Sequence, residues 1–299
     1  MSDAAATRTT WRLWIGSLVA LVSSILFSFN IVLARMAYDA GTNHLTVNLV
    51  RSACLTLSLY LAIKLAGRSA MLPPRERRAS LLIGLLWSVQ MIGLLLSIAF
   101  MPVGLAVLTY YIYPLLLALI AATLGRERIS LPRILAMLAA FGGLALALGG
   151  PGDSLDWRGI TAALTASVCM ATLMAWSART IAGQDSRVVT FHVMGACTGV
   201  FVVMALIQGG LAFPSGTPGW LAFTGAVVFF SIATFCLFIA ISLIGPLRTG
   251  VIDNGSPIWA ILFAAFLIDE TLGPLQWLGS AIVVAAIVAN QILDHARRR

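Results

Sequence analysis

Residues 110–128 read YYIYPLLLALIAATLGRER, and residues 253–271 read DNGSPIWAILFAAFLIDET. In each stretch a proline enters an apolar run and a glutamate follows thirteen residues later: Pro114 and Glu127 in the first, Pro257 and Glu270 in the second. The copies lie 143 residues apart, close to half of the 299-residue chain. The same offset pairs Gly16 with Gly159, Ser24 with Ser167, Ala53-Cys54 with Ala196-Cys197, and Ser88 with Ser231. It drifts by two residues around 97–104, where an insertion is expected. An apolar unit written twice predicts a membrane protein built from two repeats.

Composition agrees. Sixty per cent of residues are hydrophobic, 10% are charged, and the mean hydropathy is +0.97. A soluble domain carries about 25% charged residues, so there is too little polar surface here for a water-facing globule. The net charge of +8 does not indicate nucleic acid, because the basic residues fall in short clusters between apolar runs rather than along one soluble face. Cys54, Cys169, Cys197 and Cys236 all sit inside apolar runs, and their spacing fits neither a zinc site nor a redox pair. No metal and no cofactor are expected.

A helical span needs about 20 mostly apolar residues. Ten stretches qualify: 13–36, 43–65, 80–100, 102–123, 131–149, 159–181, 188–208, 219–242, 249–268 and 274–293. None alternates in polarity as a barrel strand would, and an open sheet cannot cross lipid with its edges unpaired. The first apolar run follows a polar tail, has no small-residue cleavage site, and reads as a retained span. The chain therefore divides into a tail at 1–12, a first five-helix repeat at 13–149, a second at 159–293, and a basic tail at 294–299. With the N-terminus in the cytoplasm, 16 Lys and Arg residues fall in tails and loops on that side. Only Arg35 and Arg158 fall opposite, and Arg51 lies within a span. That asymmetry predicts both termini inside. Five spans per repeat is an odd number, so the second copy enters from the opposite face and the repeats are inverted.

Ten spans, a five-plus-five repeat and the Pro-to-Glu signature closing spans four and nine resemble the drug/metabolite transporter superfamily, EamA branch. The resemblance covers essentially the whole chain. Within that branch the chain is similar to the YddG-type aromatic amino acid exporters. The resemblance implies an all-α integral membrane protein that carries a small metabolite, an amino acid and preferentially an aromatic one, in the direction of export.

Polar and aromatic residues inside spans are the candidate lining, since lipid-facing positions gain nothing from them. Arg51 lies about eight residues into span two, with Asn48 one turn before it on the same face. An Arg at that depth suits a carboxylate in a wet cavity, or a structural contact with helix carbonyls. Span three carries Trp87, Gln90 and Leu94 on one face, and span four carries Tyr110, Tyr111 and Tyr113, too deep for an interfacial belt. Asn30, Trp176, Asn254, Ser256 and Trp259 complete the lining. Trp11, Trp14, Trp157, Trp220 and Trp277 lie near the expected interfaces and read as belt anchors.

Pro114 and Pro257 each remove a backbone hydrogen bond at equivalent points of the two repeats, which makes them bend sites. Glu127 and Glu270, at span ends, read as caps. Asp253 and His192 read as titratable groups near span ends.

These residues predict a secondary transporter of the inner membrane that works by alternating access, as a monomer, with a small-molecule substrate and no nucleic-acid partner. A carrier of sugar phosphates, nucleotide sugars or drugs is the alternative cargo class. An enzyme is disfavoured: His44, His192 and His295 are far apart, and neither HExxH nor GxSxG occurs. A channel would need rings of carbonyls or charges. No GxxxxGK[ST] phosphate loop occurs, and a buried carboxylate is not evident, so weak proton dependence is expected.

Overall fold

The computed structural model describes residues 2–123, 131–148, 156–180, 184–253 and 255–297. Glu127 and Asn254, with Arg126 and Arg128, lie outside the described residues. Among the described residues eleven helices follow one another: α1 (Ser2–Asp39), α2 (His44–Leu65), α3 (Pro74–Phe100), α4 (Val103–Tyr110), α5 (Tyr113–Thr123), α6 (Leu131–Leu148), α7 (Trp157–Thr180), α8 (Ser186–Gln208), α9 (Gly216–Asp253), α10 (Ser256–Leu267) and α11 (Pro274–Arg297). Among the described residues there are no strands.

Local chemistry sets several of the boundaries. Asn43 caps α2 by accepting the Thr46 N–H at 2.8 Å. Pro74 opens α3, where its missing N–H costs nothing. Asp185 caps α8 through the Arg187 N–H at 3.0 Å, and Gly209 ends it with φ of +73°.

Among the described residues six helices are long and apolar enough to cross a membrane: Leu13–Asp39, His44–Leu65, Pro74–Phe100, Trp157–Trp176, Ser186–Gln208 and Gly216–Ile244. Four apolar stretches are shorter: Val103–Leu117, Ile134–Ala147, Ser256–Leu267 and Pro274–Ala289. The outward faces are apolar, with Leu65, Leu206, Ile207 and Phe266 all strongly exposed. All five tryptophans read as belt anchors are exposed too.

The signature stretches depart from simple spans. The fourth expected span is broken at Tyr111-Ile112 into α4 and α5, and Pro114 stands in the first turn of α5. The ninth is broken after Asp253, and Pro257 stands in the first turn of α10. The prolines thus start new helices rather than kink old ones. Each lacks the N–H that would hold the carbonyl four residues back. The carbonyl so freed at Asp253 takes a long bond from Ser24 Oγ at 3.5 Å.

Helix α9 hides a reversal. Ser23 Oγ donates to the Ala233 carbonyl at 2.8 Å, yet the next residue, Ser24, meets Asp253. A straight helix would put Ala233 and Asp253 about 30 Å apart. Ile244 packs against Gly16, two turns back along α1. The chain therefore runs down α1 to Ile244 and returns to Asp253, and Pro246 lies in that return.

Packing respects the duplication. Helix α1 lies on α9 and α10, and α7 lies on α3, α4 and α5. Helix α2 meets α9, and α8 meets α3. Helix α2 meets α8, and α6 meets α11. Exchange the two halves by the 143 offset and this set of pairings maps onto itself. It holds at single residues: Gly16 packs on Ile244, and Gly159, their counterpart pair, packs on Met101, where a Cβ would come within 3.1 Å of the Met101 side chain.

Candidate functional site

Six helices enclose a cavity of about 470 Å³. Phe27 of α1, Leu55 of α2 and Trp87 of α3 supply one side. Leu173 of α7, Met194 of α8 and Phe230 of α9 supply the other. Three helices come from each half, and they are one another's counterparts. Trp87 and Phe230 are related by the offset itself. The cavity extends to Gln184, just before α8, and to Ser186 at the start of α8. Its walls are apolar and aromatic, with hydroxyls from Thr190 and Thr234, and no charged side chain lines it among the described residues.

Behind this wall lies Arg51. Its guanidinium sits 4.6 Å from the centre of the Phe230 ring, a cation–π contact. Arg51 is only 3% exposed, and its Nε has no hydrogen-bond partner. Tyr38 and Tyr110 lie within reach of its field. Asn48, one turn earlier, is fully buried: its Nδ2 donates to the Met91 carbonyl at 3.4 Å, and its Oδ1 has no partner. Asn30 repeats the pattern, with Nδ2 on the Phe27 carbonyl and Oδ1 unpartnered.

A second polar group gathers at the two helix breaks. Tyr110, Tyr111 and Tyr113 pack ring on ring, with centroids 5.3 to 5.8 Å apart. The Tyr111 hydroxyl donates to Asp253 Oδ2 at 3.2 Å and so bridges the halves. Ser28 Oγ donates to the Ser256 carbonyl at 2.8 Å, and Ser24 and Ser256 share a bond of 2.8 Å. Asp253 is therefore no solvated helix end. It stands at the level of mid-α1, which removes the ground on which weak proton dependence was expected.

Glu270 lies at the far end. Its carboxylate accepts the Val103 N–H at 2.9 Å and the Gly104 N–H at 3.1 Å, capping α4 from the other half of the chain. Burial pushes its carboxyl above the ordinary value, and the two N–H bonds pull against that shift. Arg35 stands nearby, its Nη1 donating to the Ile98 carbonyl at 2.5 Å. A cavity of about 360 Å³ lies between them. His192 Nδ1 is 2.9 Å from the Val188 carbonyl, a bond within its own helix. No group of three His, Cys, Asp or Glu that could hold a metal occurs among the described residues.

Of the residues expected to line a site, Trp87 lines the cavity, and Arg51 touches the back of its wall through Phe230. Asn30, Asn48 and Gln90 are buried and do not line it, and Tyr110 and Tyr113 belong to the tyrosine group. Trp259 lies near Gly255 at the second break. Trp176 is 38% exposed on α7 and does not line the cavity; its helix turns that side outward. Phe27, Phe230 and Phe238 line the cavity and went unnoticed in the sequence, being ordinary apolar residues in apolar runs. The offset would have found Phe230, as the counterpart of Trp87.

A duplicated bundle of apolar helices with a cavity between its halves fits a multi-pass membrane protein. Residues 14–149 and 157–290 each match the model of the EamA-like transporter family, and the chain belongs to that family. It is 26% identical over 218 residues to the uncharacterized transporter sll1319 of Synechocystis sp. (strain ATCC 27184 / PCC 6803 / Kazusa). That match covers 68% of this chain and 63% of the relative, less than two thirds of its length. A solved crystal structure shares the fold at a TM-score of 0.66 and 19% identity, over 95% of this chain and 99% of that one.

Proposed function

We propose that this chain is a secondary transporter of the inner membrane that exports small metabolites, amino acids foremost and aromatic ones by preference, and that it catalyses no covalent reaction. The six long helices, α4 with α5, α6, the return of α9 with α10, and α11 would make ten passes, with both termini cytoplasmic. The self-mapping contact pattern supports two halves related by a twofold. With five passes each, that axis lies in the membrane plane and the halves are inverted. Rocking one half against the other would expose the shared cavity to each side in turn, with Pro114 and Pro257 marking the hinges. Two fused repeats already form a complete pseudo-symmetric unit, so a monomer suffices.

The observation that carries this reading is the cavity shared by counterpart helices, with Trp87 and Phe230 at equivalent positions in its wall. Aromatic walls suit a flat apolar side chain. A dianionic sugar phosphate or a nucleotide sugar would need several basic groups, and the described lining has none, with Arg51 alone touching the back of its wall. Purified protein in proteoliposomes should take up labelled phenylalanine, tyrosine or tryptophan saturably, with counterflow. Uptake indifferent to which amino acid is offered removes the aromatic preference, and unsaturable conductance removes the carrier.

A further inference from the structure

The cavity is too apolar to hold the charged end of an amino acid, and the groups suited to that end lie just behind its wall. Arg51, Asn48 and Asn30 are all at least 97% buried, and each keeps an unpartnered polar atom: a donor on Arg51, a carbonyl-type acceptor on each asparagine. Buried polar groups without partners are rare in native folds and call for an explanation. The donor carries the positive charge, and no carboxylate pairs with Arg51 among the described residues. Such a set lacks one anionic group and one N–H-rich cationic group.

Position points the same way. Phe27, Asn30 and Tyr38 fall on one stripe of α1, at spacings of three and eight. The Phe27 ring packs on Phe230, and Arg51 stacks on that same ring. Tyr38 lies in the field of Arg51. Asn30 thus lies along α1 between Phe27, which packs on the ring that carries Arg51, and Tyr38, which lies near Arg51. The repeat adds an independent argument. The 143 offset carries Asn30 to Leu173 and Arg51 to Met194, and both of these line the cavity. Asn30 and Arg51 therefore occupy lining positions of the fold, filled in the other half by apolar residues.

We propose that Arg51, Asn48 and Asn30 form the head-group pole of the ligand site. Arg51 takes an α-carboxylate, the amide oxygens of Asn48 and Asn30 take an α-ammonium, and the side chain of the ligand lies between Trp87 and Phe230. The Nδ2 atoms of Asn48 and Asn30 donate to backbone carbonyls, which fixes the two amides with their oxygens unpartnered. The proposal rests on the amino acid reading above and adds to it an orientation: head group away from the Gln184 end, side chain toward it. The aromatic wall selects the side chain, and the pole selects the zwitterion.

The test is competition against labelled phenylalanine uptake by the full-length protein in proteoliposomes. The competitors are phenylalanine, phenylalaninamide, which lacks the carboxylate, and 3-phenylpropanoate, which lacks the ammonium. Wild type should need about tenfold or more of either analogue to match phenylalanine, the value of one lost charged hydrogen bond. Arg51→Gln should erase the advantage over the amide and leave the amide's own strength unchanged. Asn48→Leu should cut the advantage over 3-phenylpropanoate severalfold, since Asn30 keeps its share of the ammonium, and leave the advantage over the amide as it was. If Arg51→Gln does not fold, Arg51→Lys, which keeps the charge but loses the planar fork, should reduce the amino acid-to-amide ratio. A wild type that treats all three alike overturns the pole, as does a variant that weakens amino acid and amide by the same factor. A wild type that takes up no aromatic amino acid overturns the cargo reading itself, and this inference falls with it.

Discussion

At the scale of single residues, the proposed site divides recognition between Trp87, in the cavity wall, and Arg51, behind it. Trp87 offers a ring to the cavity from α3, beside Ile83. Trp87→Ala should leave helix packing intact and lower the preference for phenylalanine over leucine by roughly threefold to tenfold, the value of one aromatic contact. Competition assays on the variant measure this ratio directly. Asp253 is the other residue with a role across the halves. Its carboxylate holds the Tyr111 hydroxyl at 3.2 Å, so Tyr111→Phe removes a charged hydrogen bond inside the bundle. A loss of about 1.5–3 kcal/mol in stability is expected, read as a lower melting temperature of the purified protein.

At the scale of elements, the ends of helices and their close approaches matter most. Glu270 satisfies two N–H groups at the start of α4, and Glu270→Ala should cost about 1–2 kcal/mol, with Glu270→Gln closer to wild type. Helices α6 and α11 touch backbone to backbone at Gly279, where a Cβ would meet the Gly143 carbonyl and stand 2.5 Å from the Ala147 nitrogen. Gly279→Ala should therefore push these helices apart and lower the melting temperature, by about 1–3 kcal/mol, as overpacking does. At the start of α8, hydrogen bonds from Arg187 hold the Asp185 carboxyl below its ordinary value. A lowered carboxylate contributes stability that is whole above its unfolded pKa and lost as pH falls through the folded one. Melting temperatures should then owe nothing to Asp185 titration between about pH 5 and pH 8.

At the scale of the whole molecule, the two halves use one fold with different chemistry at equivalent places. Leu173 and Met194 line the present cavity, while their counterparts Asn30 and Arg51 are sealed. If inverted halves exchange roles when the carrier turns over, the sealed pair opens to the other side. Single cysteines test this on a background without Cys54, Cys169, Cys197 and Cys236. Met194→Cys should react with impermeant reagents from the side of the Gln184 end, and Asn30→Cys from the opposite side, more so during transport. Labelling of both from one side would rule out the exchange. The sidedness itself has a simpler check: residues near 75 should be shielded from outside the cell.

The repeat, the apolar helices and the two signatures were all readable in the sequence, because lipid demands long apolar runs and a duplicated fold keeps its helix-breaking residues in register. Trp87 and Arg51 stand out there too, since an aromatic or a charge deep in such a run contrasts with it, and the fold puts the first in the cavity wall and the second behind it. Trp176 looked the same in one dimension and turned out to face outward, because periodicity fixes which residues share a face but not what that face meets. The breaks at Tyr111 and Asp253, the return within α9, and the placing of Asp253 beside Ser24 rather than at a membrane surface came only from tertiary packing. Each depends on contacts between residues more than 140 positions apart, and local propensity carries no record of them. Phe27 and Phe238 belong to the same class: a phenylalanine in an apolar run is indistinguishable from lipid-facing neighbours until six helices close around it.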